Sequence, residues 1–165
     1  MGKKIMFSFA FLLGGILFGS TYESASAATH ACDNDPSSIY SCSTYSTGTW
    51  TLNYSSSNYN GDARLANYNT GSYFYNWAFS NYIAGGTWNL RVYLANSSFI
   101  DPNARYYVYN SNWLYDEYVG SINQFAAPTG WSYVGVPVYL PGGYNRVTLQ
   151  SSQINTGADA ITLSN

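Results

Sequence analysis

The side chains that could carry out covalent or acid–base chemistry are few in this chain. His30 is the sole histidine. It falls just behind the expected start of the mature chain, in what reads as a mobile tail. A Ser-His-Asp or Cys-His relay needs a positioned base, so neither is expected. A glycosidase needs two carboxyls facing each other across a cleft, about 5 Å or about 6.5–9.5 Å apart. Asp116 and Glu117 are sequence neighbours and in a strand would point to opposite faces. Asp62, Asp101 and Asp159 are not joined by any spacing that makes a pair. No catalytic residues, and no enzyme, are expected. Asp33-Asn34-Asp35 offers the hard oxygen donors that calcium accepts. No EF-hand spacing follows it, and an Asx-type turn is the preferred reading. No cofactor or metal ligand is therefore expected, with a structural calcium at this acidic turn as the alternative.

The aromatic residues carry the main functional hint. The chain has 18 tyrosines and 5 tryptophans, against 8 % charged residues. Flat rings on a rigid sheet stack on the apolar faces of pyranose sugars, while neighbouring Asn, Asp and Arg groups bond the hydroxyls. Tyrosine does this at low entropic cost, having two side-chain torsions. Trp113 and Tyr115, in a Tyr/Asn-rich loop or hairpin, are the first candidates for such a platform. Trp131 and Tyr133 oppose the Val134/Val136/Val138 face and are candidates too. Arg91 and Tyr93 join them from the polar face of the 88–94 segment. For each, plain packing or a solubilising surface is the competing reading.

The elements that must position these rings read as strands. Period-2 alternation of β-branched and aromatic residues recurs, bounded by Gly, Asn, Asp and Pro, and the helix period is absent. Trp88, Leu90, Val92 and Leu94 share a face, with Asn89, Arg91 and Tyr93 on the other. Tyr73, Tyr75, Trp77 and Phe79 alternate with Phe74, Asn76 and Ala78, and Trp77 and Trp88 read as core. Val147 and Leu149 alternate with Arg146 and Thr148. With segments at 49–53, 65–68, 105–110, 115–125, 131–139 and 161–163, about eight or nine strands emerge. Regular short strands without helices indicate a β-sandwich or barrel.

The N-terminus reads as an export signal. Lys3 and Lys4 precede an apolar run from Ile5 to Gly19, and Ala25-Ser26-Ala27 offers a cleavage site. Spanning a bilayer takes about 20 apolar residues, more than this run supplies. Residues 1–27 are thus expected to be a signal peptide, followed by an N-terminal disulfide-closed segment at 28–47 and a β-sandwich domain at 48–165. In an oxidising compartment Cys32 and Cys42 most simply form one disulfide, contributing about 2–3 kcal/mol. Cleavage removes both lysines and leaves Arg64, Arg91, Arg105 and Arg146 against seven carboxylates. Such an acidic chain lacks the basic footprint of a nucleic-acid binder. For the same reason no membrane partner is expected after cleavage.

Short pieces of the chain stand in a familiar order. They are Gly61-Asp62-Ala63-Arg64-Leu65, Tyr75-Asn76-Trp77-Ala78-Phe79 and Ala84-Gly85-Gly86-Thr87-Trp88. Ile122-Asn123-Gln124, Gly130-Trp131-Ser132-Tyr133-Val134-Gly135, Pro141-Gly142-Gly143 and Ala158-Asp159-Ala160-Ile161 follow. In that order they resemble the golvesin C-terminal-like, or xanthan-lyase carbohydrate-binding-like, β-sandwich family. Asp33-Asn34-Asp35 is similar to its leading acidic turn. Tyrosine replaces many aliphatic positions, and the resemblance does not require the cysteine pair. It implies a jelly-roll-like accessory or binding module of a secreted protein rather than a catalyst.

Taken together, the sequence predicts a secreted, extracellular, non-catalytic β-sandwich whose partner is a polysaccharide or another cell-envelope polymer, bound through exposed aromatics. The alternative is a structural or self-associating protein of an extracellular matrix or surface layer.

Overall fold

Side-chain alternation decides which surface each strand buries. The computed structural model describes residues 28–35, 41–67, 73–113, 115–152 and 154–165. The signal peptide expected over 1–27 lies outside them. Thirteen strands form among the described residues. In chain order they begin with β1 (Thr29–Cys32), β2 (Cys42–Thr47), β3 (Thr51–Tyr54), β4 (Asp62–Ala66), β5 (Phe74–Phe79) and β6 (Gly86–Leu94). β7 (Ala104–Asn110), β8 (Asp116–Ile122), β9 (Gly130–Tyr133) and β10 (Val138–Leu140) follow. β11 (Asn145–Gln150), β12 (Thr156–Ala158) and β13 (Ile161–Ser164) close the chain.

All pairings are antiparallel. The front sheet has the order β2-β5-β11-β7-β8. The back sheet runs β1-β13-β6, with β9 and β10 sharing the far edge of β6. A three-stranded sheet, β12-β4-β3, completes the all-β sandwich. Tyr75, Trp77 and Phe79 of β5, Tyr106 and Val108 of β7, and Val147 and Leu149 of β11 point inward and are buried. They form one core cluster with Trp88, Leu90 and Val92 of β6 and Ile161 and Leu163 of β13. Each such side chain stabilises the fold by about 1.5–3 kcal/mol of buried apolar surface.

The structure revises several sequence expectations. His30 is not in a loose tail: β1 pairs with β13, and its ring sits 5.4 Å from Trp88 and 6.4 Å from Phe79. The backbone ladder fixes it, and burial pulls its imidazole below the ordinary value. The 131–139 segment is not one strand. Gly135 adopts a left-handed φ of 60° and touches the Val119 carbonyl so closely that a Cβ has no room. The chain bulges off β6 there and rejoins the same edge in the same direction as β10, and Val136, expected on one face with Val134 and Val138, is 72 % exposed.

Cys32 and Cys42 are bonded, with Cα atoms 5.8 Å apart. β1 belongs to the back sheet and β2 to the front, so the disulfide joins the two sheets. The Cys32→Ser/Cys42→Ser variant is expected to lose about 2–3 kcal/mol of stability. Urea titration with and without reductant checks this, and coincident curves would count against a stabilising role.

Candidate functional site

The residues that do not enter the core make the site. On the front sheet, register aligns three outward rows across five strands. The first is Ser43–Ala78–Arg146–Tyr109–Asp116, the second Tyr45–Asn76–Thr148–Tyr107–Tyr118, and the third Thr47–Phe74–Gln150–Arg105–Ser121. With strands about 4.8 Å apart, each row is roughly 19 Å long. A groove of about 440 Å³ runs over this face, walled by aromatic rings, amides, hydroxyls and one ion pair.

Hydrogen bonds lock the polar groups in place. Arg146 is the hub. Its Nε donates to Thr148 Oγ1 at 3.2 Å, Nη1 to the Tyr45 hydroxyl at 3.3 Å, and Nη2 to Asp116 Oδ1 at 2.6 Å. The guanidinium carbon lies 4.8 Å from the centre of the Tyr109 ring. Partial burial pulls the guanidinium down, but the Asp116 and Tyr45 contacts outweigh it and hold it above its ordinary value. Thr148 Oγ1 donates to Asn76 Oδ1 at 2.8 Å, and the Tyr107 hydroxyl to Gln150 Oε1 at 3.0 Å. The Tyr107 ring packs 5.5 Å from that of Tyr118. The face is thus preorganised: rings stand beside fixed donors and acceptors, and binding need not order them.

The six residues singled out from sequence lie elsewhere, in two groups. Arg91 pairs with Tyr133 and Tyr93 with Trp131 across β6 and β9, on the outer face of the back sheet. The Arg91 guanidinium sits 5.6 Å from the Trp131 ring and 5.2 Å from that of Tyr133. Tyr59, Tyr93 and Trp131 form a mutual edge-on trio at 5.4–5.5 Å. A depression of about 430 Å³ lies beside Trp131 and Tyr133. Trp113 and Tyr115 are separate, on the β7–β8 connection, with rings stacked 5.9 Å apart at 11°. Trp113 packs partly against the core, whereas Tyr115 is exposed.

A third polar region gathers Asp33, Asn34, Asp35, Asp62 and Asp159. Asp33 accepts from the Asn34 amide at 2.8 Å and from Asn60 Nδ2 at 2.7 Å, and Asp35 pairs with Arg64. Asn34 Nδ2 donates to Asp62 Oδ2 at 3.3 Å. Asp159 Oδ2 accepts the Tyr59 amide at 3.0 Å. Burial, then the negative charges of Asp33 and Asp62, push the Asp159 carboxyl up to about 8. Among the described residues no three His, Cys, Asp or Glu side chains converge as a metal-holding group.

Comparison with known proteins places the fold. The structure matches part of a Paenibacillus xanthan lyase with a TM-score of 0.63 and 18 % identity, over 82 % of this chain and 13 % of the lyase. It therefore spans a small fraction of that enzyme. A family 29 carbohydrate-binding module variant complexed with mannohexaose matches at a TM-score of 0.50 and 18 % identity, covering 85 % of this chain and 89 % of the module. A second structure of a family 29 module gives 0.50 and 18 %, over 85 % and 86 %. No protein-family model and no curated protein sequence matches the chain. The shared architecture is an all-β sandwich.

Proposed function

We propose that this protein is a secreted, non-catalytic module that binds a polysaccharide or another extracellular polymer along the front-sheet groove. The observation that carries the reading is the row Tyr45–Asn76–Thr148–Tyr107–Tyr118, which crosses all five strands, with a bulge in the β7–β8 ladder between Tyr106 and Tyr107 beside it. Rings along such a row can stack on sugar faces, and the tyrosine hydroxyls and the half-buried Gln150 amide beside it can bond sugar hydroxyls, while the buried Asn76–Thr148 pair holds the floor in place. The likeness of fold to carbohydrate-binding modules supports it. So does the disulfide, which suits an oxidising, extracellular setting.

Tyr107 and Phe74 are half-buried and point away from the core, so truncating them should leave folding nearly intact. Tyr107→Ala and Phe74→Ala are each expected to weaken polysaccharide binding about 10- to 30-fold. Affinity electrophoresis and pull-down on insoluble polysaccharides measure this. Full binding by the double variant, with loss in Trp131→Ala instead, would move the site to the Arg91–Trp131–Tyr133 patch. The structural, self-associating alternative draws on β2 and β8, whose outer edges end the front sheet. Sedimentation at high concentration separates the two readings.

A further inference from the structure

The charge state of the groove narrows what it can hold. Among the described residues, Arg146 is the one cation and Asp116 the one anion that line it. An arginine recognises a carboxylate through a two-pronged edge of parallel N–H groups. Here each of the three guanidinium nitrogens already donates within the sheet, to Thr148, Tyr45 and Asp116. Three of the five N–H groups are thus committed, so a ligand carboxylate meets neither edge whole, and the positive charge is matched by a carboxylate at 2.6 Å. The other polar groups of the walls are uncharged: Thr47, Asn76, Thr148, Gln150 and the two tyrosine hydroxyls. Arg105 stands in register with Gln150 on the same face but does not line the groove. The chain as a whole is acidic, with a formal net charge of −2 including two lysines that precede the described residues. That field opposes the approach of a polyanion.

We propose that the groove selects uncharged, hydroxyl-rich glycans over uronate-bearing ones, and that the Arg146–Asp116 pair sets this preference. The inference rests on the polysaccharide reading given above. Asp116 acts as the internal counter-ion that keeps Arg146 from taking a ligand carboxylate. Its side chain is 45 % exposed, and exposed ion pairs contribute little to folding, so removing it is tolerable. Asp116→Ala frees Nη2 and leaves the groove with a net positive charge. A new charge-assisted hydrogen bond then becomes available to a uronate, enough for about a tenfold change in affinity.

The test uses the full chain at low ionic strength, where charge effects are least screened. A panel of neutral polysaccharides (a mixed-linkage β-glucan and xyloglucan among them) is run beside polygalacturonate on affinity gels. Wild type is expected to be retarded by neutral polymers and not by polygalacturonate. In Asp116→Ala the ratio of polygalacturonate to neutral affinity is expected to rise about tenfold, and added salt should remove the gain. Stronger wild-type binding to polygalacturonate than to the neutral panel would overturn the preference while leaving the glycan reading standing. An unchanged ratio in Asp116→Ala, in a variant whose melting matches wild type, would overturn the role of the ion pair. Retardation by neither class would remove the glycan reading itself, and this inference with it.

Discussion

Replacing Trp77 with alanine is expected to cost about 3–5 kcal/mol of stability, the usual range for truncating a buried large aromatic. That is a large share of the roughly 5–15 kcal/mol by which a domain is stable. Trp77 is 1 % exposed and sits in the middle of β5, in register with Thr44 on one side and Val147 on the other. Its ring packs edge-on to Tyr75 at 4.9 Å, and its indole N–H donates to the Asp159 carbonyl at 3.0 Å. Truncation therefore opens a cavity and leaves a buried carbonyl without its donor, two penalties that add. The consequence reaches the groove, because Phe74, Asn76 and Ala78 project from the other face of the same strand. Trp77→Phe keeps most of the volume and loses only the N–H, so its cost should be clearly smaller. Urea unfolding gives both values. A change below about 1 kcal/mol for the alanine variant would mean that the interior has relaxed around the gap, against the packing described here.

The core is more legible in the sequence than the site, for a physical reason. Alternation reports which face of one strand is apolar, and that suffices to bury Trp77, Trp88, Val147 and Leu149 correctly. It also bounds β5, β6 and β11 closely, since those strands carry large β-branched and aromatic residues. β1 and β2 carry small and hydroxylic residues such as Thr29, Ala31, Ser43 and Thr44, which leave little periodic signal. β12 is fully buried, yet its Thr-Gly-Ala sequence has no apolar bulk to show it. The 130–140 region misleads because the chain bulges off the edge of β6 around Gly135, between β9 and β10, inside an apparently continuous valine alternation. As for function, Arg91, Tyr93, Trp131 and Tyr133 do come together, since β6 and β9 are neighbours. The front-sheet groove stays invisible because alternation says nothing about which strands pair. The polar alternation of Arg146 and Thr148 was the legible signal. Only the register places Tyr45, Asn76 and Tyr107 in line with Thr148.

Stability is expected to fall as pH rises from about 4 to about 8, and Asp159 is the chief cause. Its carboxyl titrates at about 8 in the folded protein, against an ordinary value of 3.8. Burial is the largest contribution, and the neighbouring Asp33 and Asp62 charges add to it. Between those two values the folded state holds a proton that the unfolded chain has released. Unfolding then releases protons, so stability decreases with rising pH across that window and levels off on either side. At about 1.4 kcal/mol per pH unit, the full window sets an upper bound of about 6 kcal/mol. Asp33 and Asp62 are also raised, by burial first, and pull in the same direction. Asp159→Asn keeps an oxygen for the Tyr59 amide and removes the titration. It should therefore melt near wild type at pH 4.5 and several degrees higher at pH 9, with a flatter profile between. Parallel wild-type and variant profiles would reject this assignment. Repeating the series with calcium present tests the acidic-turn alternative at Asp33-Asn34-Asp35 in the same experiment. An ion held beside these carboxylates would keep them ionised, and stability would then rise with pH rather than fall.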